Sequence, residues 1–305
     1  MAGCWDSGPF HIGISGWRYP PWRGVFYPPG LAQRRELEFA SRSLASVELN
    51  GSFYSLQRPS SYEQWRSQTP DGFVFSVKGP RFVTHMKKLA GVEAPLANFF
   101  ASGVLALGDR LGPVLWQLPP SLGFDADRLA AFFALLPRTT AAAAQLATHH
   151  DRRLDGRAFT TTDADRPLRY ALEVRHASFE TAEFVQLLRD NDIALVCADT
   201  AGKWPALDDV TSDFVYARLH GEKELYVSGY DEAALDRWAA RVRTWQAGGT
   251  PIDGHTLGRP APVREREVYV YFDNDVKVRA PFDAIALAHR LGIRDLPGPT
   301  VTMPS

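Results

Sequence analysis

Charged and polar side chains that could do chemistry stand at the ends of several short apolar segments of this 305-residue chain. Carboxylates and imidazoles transfer protons in general acid and base catalysis. The candidate catalytic residues are therefore Glu48, Glu173, Asp199 and His220. Cations, amides and aromatic rings bind anionic or hydroxylated ligands. The candidate substrate-binding residues are Trp17, Asn50, Tyr54, Lys78, His85, Gln117, Arg175, Arg218 and Asn274.

A purely structural interpretation of these charges stands beside the catalytic one. Three of the candidate residues are carboxylates, and three, Lys78, Arg175 and Arg218, are cations. Equal numbers of opposite charges could satisfy one another in a closed ion-pair network. The aromatic residues after the same segments either stack on a ligand or pack loops onto the protein. They are Trp17, Trp22, Phe53, Tyr54, Tyr226 and Tyr230.

A metal site is the second alternative. The three carboxylates with His176 or His220 resemble the oxygen and imidazole ligands that hard divalent ions accept. Three nearby cations would oppose such an ion, and the chain has no H-x-H, H-E-x-x-H or paired-cysteine spacing. We therefore predict a site without a metal or other cofactor, with a divalent ion as the weaker alternative.

The elements that must position these residues alternate along the chain. Eight short segments rich in β-branched and aromatic residues, each bounded by Gly, Pro, Asp or Asn, are typical of strands. They span 11–17, 46–52, 73–79, 113–119, 170–176, 193–199, 214–220 and 268–274. Helical spacing of apolar residues lies between them at 31–44, 127–136, 180–188 and 232–245, and a last helix is predicted from Pro281 to near Gly292.

Strands that alternate with helices pair in parallel, because parallel strands need crossover connections. Eight repeats favour closure into a TIM-type (β/α)8 barrel of the α/β class. An open doubly wound sheet is the alternative, although no G-x-G-x-x-G motif follows the first strand. We predict one domain over 1–305, with a core at about 10–292 and a flexible tail at 293–305. The polar segments 149–169 and 248–266 are predicted to be inserted surface loops.

Side-chain alternation assigns a face to each residue of a strand. Val47 and Leu49 suit the layer under the helices, which directs Glu48 and Asn50 to the barrel axis. The same reasoning directs inward the residues Ser15, Trp17, Ser46, Lys78, Gln117, Glu173, Arg175, Cys197, Asp199, Arg218 and His220. The register at Asp273 and Asn274 stays open, and the pair could be a simple turn. Most of the polar residues end their strands, which predicts a functional site at the C-terminal mouth of the barrel.

Composition limits the classes of partner. The net charge is −1, so no overall field draws the chain to nucleic acid or to an anionic membrane, although a local basic patch is compatible with this value. Two cysteines give no disulfide framework, and the N-terminal segment lacks the pattern of a signal peptide. No apolar run reaches the roughly 20 residues of a membrane helix. These features predict a cytoplasmic protein, and they leave its oligomeric state open.

Seven ordered stretches, at 14–28, 48–54, 73–85, 111–120, 172–179, 216–221 and 268–275, resemble the YecE-like family, a domain of unknown function in bacteria and archaea. The resemblance covers nearly the whole chain and implies a TIM barrel, but it implies no reaction. Distant similarity of that family to metal-using endonucleases and sugar isomerases is a fold-level analogy. The chain departs from the family pattern at Ser52, Phe179 and Asp273, and its two polar loops look longer than usual, which could alter access to the mouth.

The resulting hypothesis is an enzyme, of hydrolase or lyase type, that acts by acid and base chemistry on an anionic or polyhydroxylated small molecule. A phosphorylated or nucleotide-like compound fits this description. Metal-dependent hydrolysis, including nuclease action, is one alternative. A nucleic-acid-binding barrel without catalysis is the other, and binding that weakens steeply with salt would distinguish it.

Overall fold

Eight parallel strands close into one barrel in the computed structural model, which describes residues 4–6 and 8–294. Each strand pairs with its neighbours in chain order, and β8 pairs with β1. This arrangement confirms the predicted TIM-type barrel. The strands are β1 Phe10–Ser15, β2 Ser46–Leu49, β3 Val74–Lys78, β4 Leu111–Gln117, β5 Tyr170–Glu173, β6 Ile193–Asp199, β7 Phe214–Leu219 and β8 Glu267–Phe272.

Helices connect the strands and cover the outside of the barrel. Those in the described part of the chain are α1 Glu36–Ser43, α2 Gly51–Tyr54, α3 Pro59–Gln68, α4 Glu93–Ala101, α5 Ala126–Ala134, α6 Thr140–Ala147, α7 Ala182–Asp190, α8 Glu232–Gln246 and α9 Ala280–Arg290. The sequence patterns predicted α1, α5, α7, α8 and α9 but missed others. Helix α3 is mostly polar and buries only two of its residues, Tyr62 and Trp65, whereas α4 is apolar on most sides because it is largely buried. Neither helix has a clear amphipathic stripe.

Tyrosine rings fill the middle of the barrel interior. Tyr216 of β7 and Tyr271 of β8 have ring centroids 5.2 Å apart. The Ser46 hydroxyl lies 2.7 Å from the Tyr271 hydroxyl, and the Ser76 hydroxyl lies 2.8 Å from that of Tyr216. Gly13 allows β1 to approach β2, because a Cβ there would lie 2.0 Å from the Ser46 carbonyl oxygen. The barrel is therefore packed, and its open space lies above these rings.

The prediction for the sixth strand was wrong. Cys197 packs with the outer core under the helices, as does Leu195, and Asp199 accepts a hydrogen bond from Tyr230, which lies outside the strands. The inward residues of β6 are Ala194, Val196 and Ala198. Parallel strands are buried on both faces, so apolar alternation does not reveal the register. The rings of the tyrosines occupy the interior, and β6 accommodates them with small side chains.

The two segments predicted as surface loops have different positions. In 149–169, Leu154 is fully buried, and Asp151 exchanges two hydrogen bonds with Asn98 of α4. In 248–266, the backbone N–H groups of Leu257 and Gly258 donate to the buried Asp209. Neither segment contributes a lining residue to the mouth cavity described below, and an effect of either one on access to it stays a prediction.

Other expectations concern the chain ends and the cysteines. The predicted tail begins at 293, but Ile293 is buried and its N–H donates to Ala288, whereas 295–305 lie outside the described residues. Cys197 is buried, as expected, and Cys4 is exposed. Within residues 4–6 and 8–294, no helix combines the length and the apolar character that crossing a membrane requires.

Candidate functional site

The mouth cavity lies above the C-terminal ends of the strands and has a volume of about 670 Å³. A cavity of this size can hold a small-molecule ligand. Each residue that lines it either ends a strand or follows one, as the fold predicts for a functional site. The lining residues are Tyr19, Asn50, Phe53, Tyr54, Lys78, Arg81, His85, Gln117, Arg175, Tyr226, Asp273 and Asp275.

A closed ion network around Arg218 lies beneath this cavity. The Arg218 guanidinium donates to Glu48 from Nε at 3.1 Å and from Nη2 at 2.8 Å. It also donates from Nη1 to Glu173 at 2.7 Å and from Nη2 to Asp273 at 3.0 Å. Arg218, Glu48 and Glu173 are fully buried, and Tyr216 donates a further hydrogen bond to Glu48 at 2.6 Å.

The charges of this network fix the protonation of its acids. Burial by itself would raise the pKa of Glu173, but the cations Arg175 and Arg218 hold that pKa well below its usual range. Burial likewise opposes ionisation of Asp273, and Arg218 with His220 nevertheless lowers the pKa of that carboxyl. Both groups are therefore carboxylates at neutral pH. Four of the five N–H groups of Arg218 donate to the three carboxylates, and the second N–H of Nη1 faces His220 Nε2 at 3.4 Å, so this arginine has no donor left for a ligand.

Two cations above the network face the cavity. The Lys78 ammonium donates to Gln117 at 2.7 Å and lies 4.4 Å from the centroid of the Phe53 ring. Burial, together with the nearby charge of Arg218, lowers the pKa of Lys78 to about 8. Arg175 donates from Nε to Glu173 at 2.7 Å, and among the described residues its two terminal nitrogens have no acceptor. Those nitrogens are free to bind an anionic group.

His85 contributes a neutral imidazole to the same side of the cavity. Burial and the charges of Lys78 and Arg175 lower its pKa to about 4. Its Nδ1 lies 2.9 Å from the Thr84 hydroxyl, and its ring packs edge-on against Phe53. At neutral pH, His85 can therefore donate or accept a hydrogen bond without adding charge.

Two aspartates after β8 lie in opposite electrostatic environments. Asp273 Oδ2 is 3.0 Å from both Arg218 Nη2 and His220 Nδ1, and these contacts hold it ionised. Asp275 has no cation within ion-pair distance among the described residues, and its buried Oδ1 has no hydrogen-bond partner. Burial and the negative charge of Asp273 raise the pKa of Asp275 well above its usual range. Neighbouring carboxyls with divided protonation are suited to acid and base roles.

The barrel order separates these charges in space. In a ring of eight strands, β8 stands opposite β4, and β3 and β5 flank β4. Lys78 ends β3 and Arg175 follows β5, so the two cations lie across the barrel from Asp273 and Asp275. The mouth cavity thus has a cationic side and an acidic side.

Several predicted site residues do not reach this cavity. Asn274 is fully buried and donates to Asp283 at 2.8 Å, because Tyr271 and Asp273 take the inward face of the β8 end. Asp199 lies on the outward face of β6 and bonds to Tyr230. Assigning these two residues to the mouth was wrong. The predicted residues Glu48, Glu173, Arg218 and His220 are fully buried and are not among the residues that line the cavity.

Trp17 lies in a neighbouring cavity of about 270 Å³ and packs edge-on against Trp65. Of the other aromatic residues after strands, Trp22 and Tyr230 pack inside the protein. Phe53, Tyr54 and Tyr226 line the mouth cavity. The packing interpretation therefore holds for Trp22 and Tyr230, and stacking on a ligand stays a prediction for the three that line the cavity.

Sequence reasoning missed Tyr19, Arg81 and Asp275. A signal for Asp275 was present, since Tyr269, Tyr271, Asp273 and Asp275 alternate with apolar residues in 268–275. For Arg81 and Tyr19 no such pattern exists, because Tyr19 lies in irregular backbone after β1 and Arg81 begins the short helical turn Phe82–Met86 after β3.

The donor set does not fit a divalent metal ion. Glu48, Glu173 and Asp273 surround the guanidinium of Arg218, so a permanent positive charge occupies the centre where an ion would bind. Across the described residues, no three His, Cys, Asp or Glu side chains are grouped as metal ligands.

The family model described as "Protein of unknown function DUF72" matches residues 11–303. YunF of Bacillus subtilis is 31% identical over 115 residues, which cover 36% of this chain and 40% of YunF. YecE of Escherichia coli strain K12 is 31% identical over 113 residues, covering 37% of this chain and 39% of YecE. The aligned part thus spans about two fifths of these relatives.

Solved structures share the fold. A DUF72 family protein of Thermotoga maritima has a TM-score of 0.69 and 24% identity, covering 93% of this chain and 99% of that one. A DUF72 family protein of Enterococcus faecalis has a TM-score of 0.67 and 15% identity, covering 96% of this chain and all of that one (100%). The family match across nearly the whole sequence shows that this chain belongs to the DUF72 family.

Proposed function

We propose that this protein is an enzyme that acts by acid and base chemistry on an anionic, hydroxylated small molecule bound in the mouth cavity. The observation that carries this proposal is the segregation of charge in one cavity, with Lys78 and Arg175 across from Asp273 and Asp275. A packed barrel has no structural need for partly unpaired charges on both sides of an open space.

The cationic side would bind the anionic group of the substrate. Arg175 offers two terminal nitrogens in a fixed fork, a geometry that suits carboxylate and phosphate oxygens. Its guanidinium carbon lies 3.9 Å from the centroid of the Trp204 ring, which restricts its movement. Lys78 adds a second positive charge, and an anion beside it would raise the pKa of the Lys78 ammonium above about 8.

The acidic side would transfer protons. Asp275, with its raised pKa, is the proton donor of the proposed pair, and the ionised Asp273 is the acceptor. His220 contacts Asp273 at 3.0 Å from beneath and acts as a positioning residue, since it is fully buried. Asn50 supports the recognition of hydroxyl groups, because its Oδ1 is buried without a partner in the chain.

The cysteines support a reducing compartment for this activity. Cys4 and Cys197 are both free, and a protein of this size needs no disulfide to bury a core. We therefore place the proposed enzyme in the cytoplasm.

A thermal-shift screen tests the proposal with sugar phosphates, nucleoside monophosphates and sugar acids as probes. A compound that binds the native state raises the apparent midpoint of unfolding. We expect at least one probe to stabilise the wild type, and we expect Arg175→Ala to weaken its binding by about tenfold or more. Arg128→Ala, a half-buried arginine on α5 that lines neither cavity, is the matched control and should behave as wild type.

The catalytic part needs a second measurement with the same compound. Asp273→Asn and Asp275→Asn should bind it and fail to convert it, since an amide neither donates nor accepts the proton. Conversion by both variants at the wild-type rate, or unchanged binding by Arg175→Ala, would overturn the proposal.

A further inference from the structure

A second space, which we call the side cavity, adjoins the mouth cavity and has a volume of about 490 Å³. The two cavities share Phe53, Tyr54 and Arg81 in their linings. A molecule that fills the mouth can therefore extend past these three residues into the side cavity. The proposed acid and base chemistry uses only the mouth and leaves the side cavity unexplained.

Aromatic and flexible apolar side chains form much of the side cavity. Tyr54 is 71% exposed and Met86 is 64% exposed, although both are large apolar groups. Phe82 and Phe53 complete this apolar surface. Exposed apolar side chains that converge on one concave space mark a site for a ligand with an apolar face.

Two arginines stand at the margins of this apolar surface. Arg81 lies at the junction of the two cavities, and among the described residues it has no ion-pair partner. The Arg153 guanidinium lies 5.9 Å from the centroid of the Phe82 ring and 3.1 Å from Asp151. Arginine beside an aromatic ring can bind both the face and the polar edge of a planar group.

The wall that carries Arg153 is held in place before any ligand binds. Asn98 of α4 donates to the Asp151 side chain at 2.8 Å and accepts from the Asp151 backbone N–H at 2.9 Å. The fully buried Leu154 anchors the same turn. The segment 149–169 therefore contributes a fixed wall to the side cavity, and a fixed wall reduces the entropy lost on binding.

We propose that the side cavity binds a planar aromatic group of the substrate, so that the substrate class is the nucleoside monophosphates. The base would lie between Tyr54 and Phe82 with its polar edge toward Arg153. The phosphate would lie in the mouth at Lys78 and Arg175, and Arg81 would stand between the two parts. This inference rests on the proposed function for the binding of the phosphate, and it adds the recognition of the base.

Calorimetric titration with AMP, GMP, CMP and UMP, beside ribose 5-phosphate, tests the inference on the full chain. Ribose 5-phosphate carries the phosphate and the sugar but has no base. We expect at least one nucleotide to bind about tenfold or more tightly than ribose 5-phosphate, as stacking of a base on an aromatic ring predicts. Arg153→Ala should weaken that nucleotide about tenfold and leave ribose 5-phosphate unchanged.

Arg152→Ala is the matched control, since Arg152 is the exposed neighbour of Arg153 in the same segment. It should bind both probes as wild type does. Equal affinity for nucleotides and ribose 5-phosphate, no binding of any nucleotide, or an Arg153→Ala variant with full nucleotide affinity would each overturn the side-cavity inference. Failure of the proposed function would give a different result, because Arg175→Ala would then bind ribose 5-phosphate as tightly as the wild type does.

Discussion

Two layers of charge in the barrel contain the same residue types and differ in how completely they are paired. In the lower layer, Arg218 is surrounded by Glu48, Glu173 and Asp273, and the donors of its guanidinium have acceptors. The upper layer lies about two residues further along the strands. There, Arg175 and Asp275 retain unpaired polar atoms that face the mouth cavity.

The difference shows that depth along a strand separates charges that are paired with one another from charges that stay open to the cavity. Arg218, Glu48 and Glu173 are fully buried and satisfy one another, so they offer nothing to a ligand, whereas Asp273 at the edge of the same network also lines the mouth cavity. A half-paired layer at the mouth keeps polar groups available, at a cost in stability that a bound substrate would offset. The structural interpretation of the sequence therefore applies to the lower layer, and the proposed function uses the upper one.

Removal of the cation from the lower layer should have the largest effect. Arg218→Met removes the shared cation of three carboxylates and leaves the fully buried Glu48 without any cationic partner among the described residues, and we expect a loss of about 3–5 kcal/mol in the free energy of unfolding at neutral pH. Urea denaturation measures it. Arg175→Met is the matched control from the upper layer, with an expected loss of about 1–2 kcal/mol, because Glu173 keeps Arg218. Equal losses in the two variants would remove the distinction between the layers.

Lys78 should make stability rise at alkaline pH. Its pKa in the folded protein, about 8, lies below that in the unfolded chain, so the folded state binds fewer protons between the two values. Stability therefore increases as pH rises from about 8 to about 10.4, by roughly 3 kcal/mol relative to Lys78→Met. Urea denaturation at pH 7 and pH 10.5 measures the change. Lys87→Met, which removes an exposed lysine and keeps Lys78, should show the same rise in stability as the wild type. A Lys78→Met profile parallel to that of the wild type would contradict the prediction.

Asp275 should act in the opposite direction at acid pH. Its raised pKa means that the folded state holds its proton longer than the unfolded chain, so wild type loses stability as pH rises above about 4. Asp275→Asn should match wild type at pH 3.5 and exceed it at pH 7. Thermal unfolding at the two pH values measures this gain. The exposed Glu63→Gln on α3 is the control without a gain, and a less stable Asp275→Asn at pH 7 would contradict the raised pKa.

Asp199 should have the smallest effect, because it lies outside the mouth. Asp199→Asn keeps an acceptor for the Tyr230 hydroxyl, so we expect a change of less than about 1 kcal/mol in the free energy of unfolding. Conversion of any substrate identified by the screen should be unchanged in Asp199→Asn and lost in Asp273→Asn. If both variants lost conversion, Asp199 would have to be counted among the residues of the catalytic site.

Much of the fold was predictable from the sequence because strand and helix periods alternate along the chain. The inward direction of Glu48, Lys78 and Arg175 was also predictable, since apolar residues on the other face set the register. The prediction failed at β6, where both faces are apolar and the single polar residue, Asp199, suggested the wrong one. In 268–275 successive side chains alternate between the two faces of the strand. This alternation places Asp273 and Asp275, and not Asn274, at the mouth.

The sequence by itself determined the parallel barrel and the placement of polar residues at the C-terminal ends of its strands. Only the tertiary structure decided which of these groups neutralise one another and which stay open. Arg218 meets Glu48 across 170 residues of chain and Glu173 across 45, and no local pattern encodes such meetings. Periodicity fixes the face of a strand on which a side chain lies, whereas the partners of a charge depend on barrel closure and on depth, which bring distant strands together.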